Sequence, residues 1–373
     1  MNSYKQIKEG VYLFNNSIDP YEGNVFYQSP LLLLIFSLFQ KLPLKFLFGI
    51  YVQLDIIIGY TLYRLGVMYI FNNPSLLPAF NNDDYLLGML MGSIYLLNPF
   101  TILSTLGLST SIFQNFAIVL AISNCYQGFP NGGMMMLSFA TCLGFYPVSL
   151  IFPLYLITYK SESTRTWWNF LNFVFFYALW MFGLTRLSFF YMNDWKFLSQ
   201  SIGSILFPPD LTPNIGLHWY INIEVFDHFR SFFNSTFQLY SFFFVIPLSI
   251  KFRNLPFFAI FLQLGIISTF KSYPSIADFA LYTSFLPLFY ETFEYLNNTF
   301  VIGTALVFCC GLGPLFWEGW VQLETANANF FYAITLVYAI CNILLLCSAL
   351  QARLKFDYLK INPHHKDAKL KFE

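Results

Sequence analysis

The sequence predicts an all-α, polytopic transmembrane bundle of about eleven segments. Three observations carry that prediction. Charged residues make up 10% of the 373 residues, against roughly 25% in an ordinary soluble chain, which is too few to cover a water-facing surface of this size. Apolar residues reach 57% and the mean hydropathy is +0.57. Apolar runs of about 20 residues, the length that crosses hydrocarbon as helix, recur along most of the chain.

The elements follow in order. Residues 1–30 contain no spanning run and no signal-peptide core, although residues 6–14 suit a helix lying at the interface. The first apolar span therefore does the targeting, or a preceding segment belongs to the protein. Residues 31–40 are half a span. Residues 46–71, 134–159, 167–190, 231–250, 299–320 and 330–350 are each long enough to cross. Residues 85–127 are twice that length, and Asn98-Pro99 and Gly107 divide them into two helices. Residues 257–270 and 277–290 are short and flank Lys271-Ser272-Tyr273-Pro274-Ser275. They form either two tilted helices or one broken hairpin. Residues 1–350 thus read as a single polytopic membrane domain, and residues 351–373 as a basic tail.

Lys and Arg orient the bundle, because positive residues accumulate on the cytoplasmic side. Alternation from Lys41 and Lys45 gathers Lys160, Arg165, Lys251, Arg253 and the tail residues Arg353, Lys355, Lys360, Lys366, Lys369 and Lys371 on one side. Only Lys5, Lys8, Lys196, Arg230 and Lys271 fall on the other, while Arg64 and Arg186 lie inside spans. The tail is then cytoplasmic, and residues 1–30, 192–230, 271–275 and 321–329 share the lumenal face. Of the N-x-S/T sequons, those at Asn15 and Asn234 belong on or near that face, and that at Asn297 on the cytoplasmic one. The formal net charge of zero says nothing about an acidic or basic partner, and no nucleic-acid partner is expected.

The chain lacks GxSxG, HExxH, Walker and GxGxxG patterns. Its six Cys lie in apolar stretches without CxxC spacing and read as small hydrophobes. His364 and His365 lie in the tail. His218 and His228, with Asp210, Glu224 and Asp227, match no metal-ligand spacing, so neither metal nor cofactor is expected. Asp19 and Glu22 in the first lumenal segment allow either a carboxylate acting as in lipid-linked glycosyltransferases or a solvated turn. The turn is favoured, because Asp-Pro and Glu-Gly are turn pairs, and no catalytic residue is assigned.

Other polar residues suit a lipid. Pro208, Pro209 and Pro213 stiffen the 192–230 loop, and Trp219 and Tyr220 suit an interfacial belt. Asp227, His228 and Arg230 stand at the mouth of the next span, at headgroup depth. Arg230 can hold a phosphate through two parallel hydrogen bonds, or pair with Asp227 at i,i+3 and steady the helix start. Lys271 and Tyr273 sit at a break, where freed backbone lines a cavity or a protein contact, unless Lys271 simply snorkels. Asn327 and Asn329 precede the last span, and their amides either match sugar hydroxyls or cap the helix.

Residues 17–30, Leu97-Asn98-Pro99-Phe100 onward, Tyr146-Pro147, and residues 210–230, 270–278 and 327–335 run in an order that resembles the phosphatidylinositol-glycan class U family. That family supplies the multi-spanning subunit of the glycosylphosphatidylinositol (GPI) transamidase. Members usually begin with a further hydrophobic segment before the position of Met1. The resemblance implies an endoplasmic-reticulum complex that joins GPI to protein C-termini, its cysteine-protease chemistry residing in another subunit. It also implies a membrane fold similar to lipid-linked glycosyltransferases of the GT-C type. By the same resemblance Asn327 and Asn329 contact the GPI glycan, and the Asp227–Arg230 turn lies near a lipid headgroup. The expected function is noncatalytic recognition and positioning of GPI or of the attachment signal, with membrane phospholipids as further ligands. The alternatives are a GT-C-like mannosyltransferase acting on a lipid-linked acceptor, and a scaffold that only holds the complex together.

Overall fold

The computed structural model describes residues 1–23, 25–80 and 83–365, and these contain helices and turns but no strand. The chain divides into a first unit, Met1–Pro287, and a second, Leu288–Glu373. Lys366, Lys369 and Lys371 of the basic tail lie outside the described residues.

The first unit opens with α1 (Tyr4–Asn15), α2 (Pro30–Phe39) and α3 (Leu44–Asn72). Next come α4 (Leu86–Leu96) and α5 (Pro99–Leu106), bent by 44°. Pro99 cannot extend the preceding helix, and Asn98 starts a new one by accepting the Phe100 N–H at 3.0 Å. A second break around Gly107 and Leu108, where Leu108 has φ +49°, precedes α6 (Ser111–Tyr126). Residues 85–127 therefore make three helices rather than two. α7 (Pro130–Gly144) and α8 (Ile151–Thr158) flank a tight turn at Tyr146–Leu150. The expected span at 134–159 is interrupted there, because Phe145 takes φ +55° and Pro147 follows.

α9 (Trp167–Met192) is a long helix in which only Phe173 and Ser188 are buried, so its surface is left to lipid or other chains. The single turns α10 (Lys196–Leu198) and α11 (Ser204–Leu206), then α12 (His218–Glu224), cross the 192–230 loop. α13 (Asp227–Phe243) continues through α14 (Val245–Lys251) as one span-length helix. α15 (Pro256–Phe270) and α16 (Ile276–Thr283) follow, and twelve of the fifteen α15 residues are buried, which makes it central.

Close packing is explicit between α3 and α4. Gly88 and Gly92 form a GxxxG face against Gly59 and Gly66. A Cβ on Gly66 would lie 2.7 Å from the Gly88 Cα, and one on Gly88 would lie 2.5 Å from the Tyr63 carbonyl oxygen. Only glycine allows that approach.

The second unit contains α17 (Thr299–Val321) and α18 (Ala328–Ile361), packed as a hairpin. α18 has 34 residues, about 51 Å at 1.5 Å per residue, and so outruns the hydrocarbon. The first part of the basic tail continues this helix, where Arg353 pairs with Asp357 at 2.7 Å. Among the described residues five helices are long and apolar enough to cross a membrane, six with the bent α4–α5 pair, and α2, α6, α8 with its preceding turn, and α15 are shorter apolar helices. The protein is a multi-pass membrane protein.

Candidate functional site

Three polar regions sit against this apolar frame. The first is the break between α15 and α16. Pro274 prevents the helix from running on, and Ser275 starts α16 with a capping box, its N–H donating to the Asp278 carboxylate at 2.7 Å. Lys271 Nζ meets the same Asp278 oxygen at 2.6 Å, with the two side chains 6% and 11% exposed. The ammonium is thus occupied inside the protein rather than extended to the interface.

Polar groups freed by the break are met from several directions. His218 Nε2 lies 2.9 Å from the Phe270 carbonyl, and Asn2 donates to the Tyr273 carbonyl at 3.3 Å. The Ser272 N–H donates to the Tyr146 hydroxyl at 2.9 Å, and the Ser272 hydroxyl donates to the Ile205 carbonyl at 2.6 Å. Gln238 donates to both Ser272 Oγ and the Ile205 carbonyl, and the Tyr273 hydroxyl donates to the Asp210 carbonyl at 3.0 Å. Segments 192–230 and 271–275 therefore meet. Segment 321–329 belongs mostly to the second unit's α17–α18 connection. Burial of His218 pushes its imidazole below the usual histidine range.

The second region is the α12–α13 corner. Arg230 pairs with Asp227 at 2.7 Å and donates through Nε to the Asn222 carbonyl at 2.7 Å. Its side chain is 41% exposed and keeps further N–H donors for another acceptor. Phe226, Phe229 and Phe232 are exposed around it, and His228 is exposed beside Phe229. An arginine within an apolar collar suits the depth of lipid headgroups. His218 and His228 are not brought together, and no metal-binding group of three or more His, Cys, Asp or Glu occurs among the described residues. Asn234 is buried in α13 and accepts from Asn222 at 2.9 Å, so its sequon is closed in the folded protein.

Asp19 and Glu22 are held in a surface turn. Asp19 accepts the Tyr21 N–H at 2.9 Å, and exposed Glu22 pairs with Lys196 at 3.2 Å.

The third region is the mouth of the α17–α18 hairpin. A cavity of about 360 Å³ opens between Phe316, Glu318, Leu323, Thr325 and Phe330. Asn327 and Asn329 fall between the lining residues Ala326 and Phe330 in sequence, but neither lines the cavity. Asn327 is the helix cap, its side-chain oxygen accepting the Asn329 N–H at 3.0 Å. Asn329 lies in the first turn of α18 rather than in extended chain, and both side chains are exposed.

Sequence reasoning passed over Asp55. It is buried mid-way along α3, accepts the Tyr95 hydroxyl at 3.0 Å and a further hydrogen bond from Thr105, and so ties α3 to the bent α4–α5 pair. The available signal was a lone acid near the middle of an otherwise apolar run.

A family model described as GPI transamidase subunit PIG-U matches residues 1–338. The chain belongs to the PIG-U family. The match includes the α15–α16 break, the Arg230 corner and Asn327–Asn329, and ends within α18. The chain is 35% identical over 379 residues to the GPI-anchor transamidase component PIGU of Mus musculus, covering 96% of this chain and 87% of that one. The GPI transamidase component GAB1 of Saccharomyces cerevisiae is 34% identical, with 96% and 86% covered. The GAB1 homolog of Schizosaccharomyces pombe is 32% identical, with 100% and 89% covered. The family that the sequence motifs resemble is the one these comparisons show.

Proposed function

We propose that the chain is a noncatalytic subunit of a GPI transamidase complex in the endoplasmic-reticulum membrane, where it receives and positions the GPI lipid. The relatives' names support membership of the complex. The observation that carries the recognition role is the open cavity of about 360 Å³ at the α17–α18 connection, the same connection that presents the exposed side chains of Asn327 and Asn329. Neutral amides suit a glycan, which presents many hydroxyls and few charges. With its carbonyl oxygen used on the backbone, Asn327 still has two amide N–H donors to offer. Asp227, His228 and Arg230 serve a lipid phosphate at headgroup depth, while Lys271, paired with Asp278, holds the α15–α16 break.

In this reading residues 1–30, 192–230, 271–275 and 321–329 face the lumen, and residues 351–373 face the cytoplasm, as the positive-charge bias requires. The shorter apolar helices raise the five or six long spans toward about eleven membrane segments, in an arrangement similar to GT-C glycosyltransferases. Another subunit supplies the cysteine-protease chemistry.

The test is complex assembly followed by measurement of co-purified GPI. An Asn327→Ala, Asn329→Ala double variant should assemble with its partners and retain less GPI. Each lost hydrogen bond costs about 0.5–1.5 kcal/mol, or roughly two- to twelvefold in affinity. Wild-type GPI retention and full activity in that variant would leave the two residues as a helix cap and neighbour only.

A further inference from the structure

A second polar recess lies in the first unit and shares no residue with the proposed GPI site. It has a volume of about 280 Å³ and is lined by Tyr69 and Asn72 of α3, Tyr126 of α6, Lys160 and Arg165 after α8, and Asn254 before α15, among others. All these residues sit at helix ends: α3 and α6 finish there, α8 has just finished, and α15 begins. The adjoining N-terminus of α9 carries Trp167 and Trp168, 71% and 70% exposed, the residues expected where hydrocarbon gives way to headgroups. The recess is therefore at the membrane surface, on the face that also carries exposed Lys251 and Arg253.

Its charge is unbalanced. Lys160 Nζ stands 4.2 Å from the centroid of the Tyr126 ring. Arg165 donates to the Tyr159 carbonyl at 2.8 Å and the Arg253 carbonyl at 3.0 Å, which fixes the guanidinium and leaves other N–H donors. Among the described residues neither cation is in an ion pair, since the neighbouring Glu162 is paired with Arg253 at 3.5 Å. Partial burial lowers the Lys160 ammonium below its ordinary range, so an incoming anion would relieve an existing electrostatic cost. The amides are pre-oriented: Asn72 donates to the Tyr126 hydroxyl at 2.7 Å, and Asn73 donates to the Tyr69 carbonyl at 2.9 Å. Both keep their side-chain oxygens as acceptors.

We propose that this recess holds the headgroup of an anionic glycerophospholipid from the adjoining leaflet, its phosphate between Lys160 and Arg165 and its hydroxyls on the Asn72, Asn73 and Asn254 amides. The site disfavours phosphatidylcholine, because a choline cation would sit beside two uncompensated cations. Its depth at the aromatic belt favours a lipid over a free phosphate in water. Basic pockets between helices at a membrane face are general headgroup sites. The proposal needs neither the GPI reading nor a choice of leaflet.

The test uses the full chain in its purified complex, in mild detergent, with native mass spectrometry of retained lipid. Palmitoyl-oleoyl phosphatidylglycerol and phosphatidylcholine are added in separate arms, and inorganic phosphate in a third. Wild type should retain phosphatidylglycerol over phosphatidylcholine. Lys160→Gln with Arg165→Gln should lower that retention about tenfold or more, the scale of one lost charge-assisted hydrogen bond. Lys160→Arg should retain it. Should the double glutamine variant fail to assemble, Asn254→Asp decides, since it adds a negative charge to the recess with almost no change of shape and should also lower retention. The Asn327→Ala, Asn329→Ala variant should retain phosphatidylglycerol like wild type, which separates this site from the glycan site. Equal retention by wild type and the charge variants, equal retention of the two lipids, or inorganic phosphate binding as tight as phosphatidylglycerol would each overturn the proposal.

Discussion

Lys271→Met is the most informative single perturbation of the α15–α16 break. The Lys271–Asp278 pair is closed at 2.6 Å with both side chains almost fully buried. Removing one partner of such a pair costs about 3–5 kcal/mol, because the remaining charge stays buried without its counterpart. A cavity of about 20 Å³ beside Gln114, Asn115, Lys271 and Asp278 admits about one water, which places the expected cost near 3 kcal/mol. Asp278→Asn should cost a similar amount, since Lys271 is then stranded while an Asn oxygen still accepts the Ser275 N–H. The double variant strands neither charge. It should recover most of the loss, so the coupling between the two sites should be about 2 kcal/mol or more. Equilibrium unfolding in mixed micelles, read for wild type, both singles and the double, measures that coupling. Single costs below about 1 kcal/mol that simply add in the double would show that the pair is not buried as described.

Four further outcomes are expected. Asp19→Asn and Glu22→Gln, alone or together, should leave GPI attachment in cells largely intact; a loss of about a hundredfold, the scale of a missing general base, would favour the mannosyltransferase reading. Gly88→Ala should destabilise the fold by about 1–3 kcal/mol by forcing α3 and α4 apart. Gly49→Ala, within α3 but meeting nothing within 4 Å, is the control without a clash and should be neutral to stabilising by up to about 1 kcal/mol in the same unfolding assay. His218 has its pKa lowered on folding, so its contribution is fully present above the unfolded value near 6.5 and is lost as pH falls below it. A melting temperature that drops between pH 7.5 and 5.5 in wild type but less in His218→Gln checks this, with a ceiling of about 1.4 kcal/mol per pH unit for one group. Mass spectrometry of the mature protein should find no glycan on Asn234, and a glycan on Asn297 would reverse the orientation proposed for the last segments.

Much of the fold was legible in apolar run length. The runs at 46–71, 167–190 and 299–320 differ from their helices by only a few residues at either end. Run length misleads where local geometry breaks an apolar stretch, as Phe145-Tyr146-Pro147 does to 134–159 and Leu108 does beyond Gly107. Hydropathy counts side chains and is blind to a left-handed φ. It also stops short at Leu350, because α18 continues through polar residues once its helix is established. The broken hairpin was visible in Pro274 and the two short runs around it. Its partners were not, since Tyr146, Ile205 and His218 are brought to it only by tertiary folding. Asp55 shows the converse: the residue stands out in sequence, but its hydroxyl partners on α4 and α5 do not.

The α15–α16 break also bears on how the chain enters its membrane. α15 and α16 have 15 and 8 residues, and even the longer is about 22 Å of helix, short of the hydrocarbon thickness. Neither has reason to partition into lipid alone. Ser111 meets the Ser275 hydroxyl at 3.1 Å and Asn115 donates to the Ala277 carbonyl at 3.2 Å; these two, like Asn2, Tyr146, Ile205, Asp210, His218 and Gln238, precede Lys271 in the chain. The ribosome thus makes the cradle before the segment that lies in it, and the hairpin can dock as it emerges. Substitutions in that cradle should act during synthesis, as chains held back by membrane quality control, rather than as mature complexes with poor activity.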